Sequence, residues 1–293
     1  MRARSSANLN GAGAGRSNDG ALPTVIVIGA MKCGTSSMHN YLSAHPEITM
    51  SRQKEINFFG LEDRWKLGPT WYARHFSAAA RIRGESCPDY SKFPRFPDVP
   101  RRMRDLIPDV KLIYLVRDPV ERILSHYLHA FESGRENRPV EQALGQFENN
   151  KYIEPSCYYT QIERYLRYFP ESQIHVVCTE EMKQDRKGTL RKVFSFLGVD
   201  EAVHSPRQDA VYHASGKRGP VRRALERNRL GQRIRPYVPA SVVYRLAASG
   251  RGRHPVERPA LADPLRNALG RHLQDDIDRF RACVGREFAS WSL

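Results

Sequence analysis

Residues 23–37, Pro-Thr-Val-Ile-Val-Ile-Gly-Ala-Met-Lys-Cys-Gly-Thr-Ser-Ser, constrain this chain more than any other stretch. Val25 to Ile28 form a short β-branched apolar run, the pattern of a buried strand at about 24–28. Gly29 breaks the run, and Gly34-Thr35-Ser36-Ser37 opens a helix of about 35–44 that His45-Pro46 stops. The first N–H groups of a helix lack internal partners and its dipole is positive there, so this strand, turn and helix make an anion site. Lys32 adds a full positive charge in the same turn. The stretch predicts a seat for a phosphate-like group. A plain buried strand ending in a glycine turn is the competing reading, and it gives the Lys and the three consecutive hydroxyls nothing to do.

Gly29 and Gly34 have the spacing of the triphosphatase loop G-x-x-x-x-G-K-[ST], but Thr35 stands where that loop has its Lys. The displacement to Lys32 argues against an ATPase or GTPase, in which the Lys after the second Gly reaches the β- and γ-phosphates.

The rest of the chain repeats the strand-then-helix pattern. Lys111 to Val116 (KLIYLV) is apolar almost throughout, as parallel strands covered on both faces are. It runs into Arg117-Asp118-Pro119, where Asp118 suits an N-cap and Pro119 a first helical residue, and the helix continues to about Phe131. Arg117 therefore lies at the carboxyl end of a strand, where open α/β sheets bind ligands, and Ser125 lies on the helix that follows. A structural Arg–Asp cap and a surface Ser are the alternatives. Ser172 to Thr179 reads as a third buried strand, 180–183 as the start of a turn, and 188–197 and 262–284 as helices. Residues 84–90 read as a short strand and turn, and 61–83, with Trp65, Trp71, Tyr72 and Phe76, as a lid or packed helix. The alternation predicts a P-loop-like three-layer α/β/α fold with a central, mainly parallel sheet. Residues 1–22, rich in Gly, Ala, Ser, Asn and Arg, read as a disordered tail, and 23–293 as one domain.

Glu55 precedes Ile56 and Phe58-Phe59. A carboxylate against aromatic bulk is a candidate for a raised pKa and base chemistry; a surface Glu paired with Lys54 is the plainer reading, and the residues alone favour it.

The net charge is +15, and 37 of the 47 basic residues are Arg, which suits a bidentate grip on phosphate or sulfate. Ten Arg fall within 218–253, which reads as a solvated helical face or as a basic helix on an anionic surface. The basic residues follow no nucleic-acid-binding motif, so no nucleic-acid partner is expected. Five cysteines, none in a C-x-x-C pair, disfavour a zinc site or a disulfide framework and fit a reducing, cytoplasmic setting. No apolar run approaches a membrane span, and the run at 21–31 ends in Lys32 without a cleavage site.

Taken together, these stretches resemble the sulfotransferases that use 3′-phosphoadenosine 5′-phosphosulfate (PAPS), nearest the bacterial and heparan-sulfate-type branch. Residues 23–59 are similar to that family's 5′-phosphosulfate loop and active-site Glu segment, and 111–127 (KLIYLVRDPVERILSHY) to its 3′-phosphate motif. Residues 157–170 and 285–291 match looser patterns. The resemblance implies that Lys32, Cys33, Gly34, Thr35 and Ser36 wrap the 5′-phosphosulfate and that Arg117 and Ser125 hold the 3′-phosphate. It implies that Ser215, Gly216, Lys217 and Arg218 close over the nucleotide. Glu55 becomes the general base and Lys32 the stabiliser of the transition state, with PAPS as donor, no metal, and a small-molecule or glycan hydroxyl or amine as acceptor. Two positions depart from the heparan-type pattern: Ser86 stands where that branch has a Lys, and Asn57 where it often has a His. The acceptor class therefore stays open among carbohydrate, lipid and secondary metabolite. His39, His45 and His126 read as structural. A P-loop small-molecule kinase and a basic anionic-surface binding protein are the alternatives.

Overall fold

The computed structural model describes residues 21–210, 212 and 261–293. Five strands form one sheet: β1 (Val25–Gly29), β2 (Ile48–Met50), β3 (Ile82–Ser86), β4 (Lys111–Val116) and β5 (Ile174–Cys178). Their order is β2-β3-β1-β4-β5, and every pairing is parallel. Val25 to Ile28 and Leu112 to Val116 are fully buried, so the two runs read as core strands occupy the middle of the sheet.

Helix α1 (Thr35–Leu42) returns the chain from β1 toward β2 and packs on β1, β2 and β3. Two short helices, α2 (Glu62–Trp65) and α3 (Gly68–Ala73), lie between β2 and β3. Helix α4 (Val99–Leu106) leads to β4, and α5 (Pro119–Glu132), α6 (Val140–Leu144) and α7 (Tyr158–Leu166) lead to β5. Beyond β5 come α8 (Thr179–Gln184), α9 (Arg186–Leu197) and α10 (Pro206–Asp209), and α11 (Asp263–Val284) packs on α5 and α7. The winding from β1 runs one way to β2 and the winding from β3 runs the other way to β4. Right-handed crossovers then put α1 on one face and α4 to α7 on the other. The direction reverses around β1, which makes its carboxyl end the switch-point crevice of an open α/β sheet.

The ends follow local chemistry. Asp118 caps α5 by accepting from the Glu121 N–H at 2.9 Å, with Pro119 first in the helix as its fixed φ allows. Gly198 and Gly285 stop α9 and α11 in the left-handed conformation that glycine adopts without strain. The segment 180–183, read from sequence as the start of a turn, is instead part of helix α8, which begins directly after β5 with no linker. The span 61–83 is two short helices joined to the start of β3, packed on the aromatics of the preceding segment. Most of the expected tail and the Arg-rich 218–253 segment lie outside the described residues.

Candidate functional site

The loop after β1 turns on two glycines. A Cβ on Gly29 would meet Ser91 Oγ at 1.7 Å, so only glycine lets the strand end approach the turn of residues 88–91. Gly34 caps α1 with φ 86°, and Lys32 between them has φ 74°, a region that non-glycine residues seldom occupy. The loop's carbonyls are taken from outside. Arg122 donates to the Met31 carbonyl at 3.3 Å, and the Thr179 hydroxyl lies 2.9 Å from the Cys33 carbonyl and 2.8 Å from that of Val116. The Ala30 N–H donates to Leu115 at 2.6 Å. These ties fix the loop to β4, while the first N–H groups of α1 face out of the helix end.

Within this loop Cys33 does less than its position suggests. Its side chain is fully buried, with the sulfur 3.8 Å from the Tyr158 hydroxyl, and burial pushes its thiol pKa up to about 12. Its N–H closes a turn onto the Ala30 carbonyl at 3.1 Å. Its side chain is therefore turned away from the open end of α1, where Gly34, Thr35 and Ser36 begin the helix.

Arg117 follows β4. Its backbone N–H and carbonyl both bond the Tyr158 hydroxyl, at 3.2 and 2.7 Å. Its guanidinium lies 3.4 Å from the Glu121 carboxylate and 3.9 Å from that of Glu180. Arg266 of α11 shares Glu121 at 3.6 Å. Ser125 lies on α5 and is largely buried.

Glu55 lies beside the end of β3, its N–H donating to the Ser86 carbonyl at 3.0 Å. The aromatics after it turn inward: Phe58 and Phe59 are fully buried, and Phe58 stacks on Tyr72 at 4.3 Å. Glu55 itself turns outward at φ 63°, with its side chain 54% exposed and 2.6 Å from Lys54 Nζ. The expected packing of this carboxylate against the aromatics is therefore not what the structure shows; the pairing with Lys54 is.

The buried carboxylate belongs to Glu85 on β3, and the sequence pattern gave no sign of it. Glu85 has no exposure and accepts from Tyr72 Oη at 2.5 Å, Tyr90 Oη at 3.1 Å and the Asn57 N–H at 3.2 Å. Burial pushes its pKa up to about 7, against the lowering effect of these donors. Arg122, Thr179, Glu121 and Glu180 were also missed. Each lies in a helix or at a helix start where local pattern reads as surface or cap; Arg122, Thr179 and Glu180 meet the loop or Arg117 only through the tertiary fold, while Glu121 pairs with Arg117 one turn before it.

The three histidines are accounted for. His39 is buried, and burial with the Lys54 charge lowers its pKa to about 4. His45 bonds the Asp200 carbonyl at 3.0 Å, and His126 is held well below its ordinary pKa by burial and by Arg122.

Parallel pairing gathers the three stations. Lys32 follows β1, Glu55 bonds the end of its neighbour β3, and Arg117 follows its other neighbour β4. All stand at the carboxyl edge, on strands about 5 Å apart. Ser91 Oγ and Arg117 Nε are buried there without a hydrogen-bond partner among the described residues. Ser215, Gly216, Lys217 and Arg218 lie outside those residues, but the chain reaches α1 just before them. Tyr41 Oη donates to the Ala210 carbonyl at 2.9 Å and Ser37 Oγ to that of Tyr212 at 3.2 Å.

Comparison with known proteins gives the following. A family model described as a sulfotransferase domain matches residues 22–229. Heparan sulfate glucosamine 3-O-sulfotransferase 5 of Homo sapiens is 31% identical over 197 residues, which cover 62% of this chain and 55% of that protein. Bifunctional heparan sulfate N-deacetylase/N-sulfotransferase 2 of Homo sapiens is 26% identical over 233 residues, covering 71% of this chain and 26% of that protein. The chain thus spans about half the length, or less, of these relatives. Among solved structures, a sulfotransferase from Alicyclobacillus acidocaldarius superposes with a TM-score of 0.69 at 24% identity, covering 93% of this chain and all of that one. A mouse sulfotransferase complexed with PAP gives 0.51 at 14% identity, covering 89% of this chain and 86% of that one. These two are likenesses of fold.

Proposed function

The chain belongs to the sulfotransferase domain family, and from that premise we propose that it moves a sulfuryl group from PAPS to an acceptor hydroxyl or amine. The observation that carries the reading is the alignment of Lys32, Glu55 and Arg117 at the carboxyl ends of three neighbouring parallel strands.

The residues fit a donor with an anion at each end. The α1 N-terminus and Lys32 suit a phosphosulfate. Arg117, whose Nε has no hydrogen-bond partner among the described residues, and Ser125 suit a second phosphate one strand away. Glu55, exposed beside the loop, takes the proton from the acceptor as its oxygen or nitrogen forms a bond to sulfur. The bond from sulfur to the 5′-phosphate oxygen breaks, and the electron pair leaves with the phosphate to give 3′,5′-adenosine bisphosphate. Lys32 and the helix N–H groups face the charge that grows on the leaving phosphate, where fixed donors are most effective. The Lys54 ammonium lies 2.6 Å from the Glu55 carboxylate and would have to release it as the acceptor binds.

The acceptor is a small molecule or a glycan. Asn57 and Ser86, which depart from the heparan-type pattern, support an acceptor other than heparan sulfate. Cytoplasmic placement belongs to the same proposal, supported by cysteines that all stand as free thiols. Among the described residues no helix is long and apolar enough to cross a membrane.

Titration calorimetry with 3′,5′-adenosine bisphosphate and with ATP, followed by transfer of radiolabelled sulfate from PAPS to an acceptor panel, tests the reading. Tight bisphosphate binding and label transfer are expected; a preference for ATP would overturn it in favour of a kinase. Glu55→Gln keeps bisphosphate affinity and loses turnover.

A further inference from the structure

We infer that Glu85 is a positioning residue for the transfer reaction: sealed beneath the Glu55 segment, its carboxylate fixes the backbone from which the base projects. The inference rests on the reading of Glu55 as that base.

The geometry is specific. Glu85 accepts from the Asn57 N–H at 3.2 Å and also from the N–H of Ile56, the two residues directly after Glu55. Glu55 and Asn57 both have positive φ, 63° and 55°, so this short segment holds a conformation that side-chain-bearing residues resist. Such a backbone persists only where its surroundings over-determine it. Glu85 supplies the acceptors from below, the Arg64 guanidinium bonds the Ile56 carbonyl, and Ser86 accepts from Glu55 itself.

The groups around Glu85 are all neutral or acidic. Tyr72 from α3 and Tyr90 from the turn of residues 88–91 donate to it, with Asn57 opposite and Cys87 and Asp89 beyond. Burial and the Glu85 charge hold both tyrosines and Cys87 in their protonated forms. Among the described residues no Lys, Arg or His pairs with it. A carboxylate buried without a cation is costly, and an apolar side chain would fill the same space. What the carboxylate alone provides is acceptor capacity for consecutive N–H groups and two hydroxyls. When it takes a proton, one lone pair is replaced by an O–H among donors, and the hold on Ile56 and Asn57 weakens. Because burial raises its pKa to about 7, that change falls near neutral pH, well above the range of an ordinary carboxylate.

The test is the pH profile of kcat with PAPS, alongside calorimetry with 3′,5′-adenosine bisphosphate. The wild-type enzyme shows an acidic limb near pH 7. Glu85→Gln loses about 10²-fold in kcat through misplacement of the base, keeps bisphosphate affinity, and no longer shows that limb. Tyr72→Phe removes a bond that favours the ionised form, so its limb moves to higher pH. Wild-type kcat and an unchanged limb in Glu85→Gln would overturn the inference. Should Glu85→Gln fail to fold, Tyr72→Phe decides: a limb that does not move overturns it. Glu55→Gln, run in parallel, separates the two readings. If it turns over normally, the base assignment falls. If it is inactive while Glu85→Gln is normal, only the positioning role falls.

Discussion

Two loops meet at the carboxyl edge of this sheet, and they are anchored in opposite senses. The Lys32 loop is tied at the carbonyls of Met31 and Cys33, by a buried guanidinium and a hydroxyl. The Glu55 segment is tied first by its N–H groups, at Glu55, Ile56 and Asn57, to a carbonyl and a buried carboxylate. The difference follows from what each loop presents. A loop proposed to receive an anion keeps the N–H groups at the start of α1 for the ligand, so the protein grips the carbonyls before them with donors. A segment that offers a carboxylate to an acceptor can give up its N–H groups, so an acceptor beneath it grips those. In each case the anchor carries the same sign of charge as the side chain it supports: Arg122 lies under Lys32's loop and Glu85 under Glu55's. Like charges beneath a site raise its potential in the sense the chemistry needs, at a cost in stability.

The comparison can be broken at four places, taken from the largest expected effect to the smallest. Lys32→Ala removes the loop's own cation, and kcat/KM for PAPS should fall by about 10³-fold, with weaker bisphosphate binding in calorimetry. A loss confined to kcat would move Lys32 out of donor binding. Arg122→Met leaves the acceptors at Ser156, Tyr152 and Met31 without their donor in a fully buried site, at a cost of about 4 kcal/mol. Urea unfolding measures it, and an unchanged midpoint would show that the loop does not depend on this anchor.

The pH dependence of stability comes next. Glu85 titrates at about 7 in the fold against 4.5 as its ordinary value, so the fold favours its neutral form. That contribution is fully present below about pH 4.5 and is lost as the pH rises through 7, a difference of about 3 kcal/mol. The wild-type urea midpoint should therefore fall from pH 5 to pH 8 relative to that of Glu85→Gln, and parallel curves would refute the linkage. Thr179→Val is the mildest change. It removes one hydroxyl shared between a loop carbonyl, that of Cys33, and the last carbonyl of β4, and should cost about 1 kcal/mol, with a small loss of bisphosphate affinity.

The donor half of this arrangement is written locally in the sequence. Val25 to Ile28 and Lys111 to Val116 are continuous apolar runs; the first leads through the Gly29 turn to Lys32, and the second ends directly at Arg117. Asp118-Pro119 and Gly198 mark helix ends through side-chain and backbone rules that need no tertiary knowledge. The acceptor half is not local. β2 is three residues with an exposed Thr between two buried positions, too short to show a period. Glu85 lies in Ile-Arg-Gly-Glu-Ser, a strand with no apolar run, and its burial depends on donors from Tyr72 and Tyr90 on separate elements. Helix α8 begins with no residue between it and β5 and carries mostly polar side chains, so nothing in its pattern distinguishes it from a turn. The outward turn of Glu55 accompanies positive φ at 55 and 57; Asn tolerates that conformation, but nothing in the type of Glu55 announces it.

The strand order also separates two kinds of change. The proposed donor stations sit over β1 and β4, each flanked by full-length strands on both sides, whereas Glu55 hangs over β3, with only the three-residue β2 beyond it. A substitution under the donor must satisfy neighbours on every side, and few will. At the margin beyond β3 there is almost no sheet left to disturb. Under the proposed function, descendants of this chain could therefore trade one acceptor for another by rewriting its border while the proposed nucleotide seat is inherited intact.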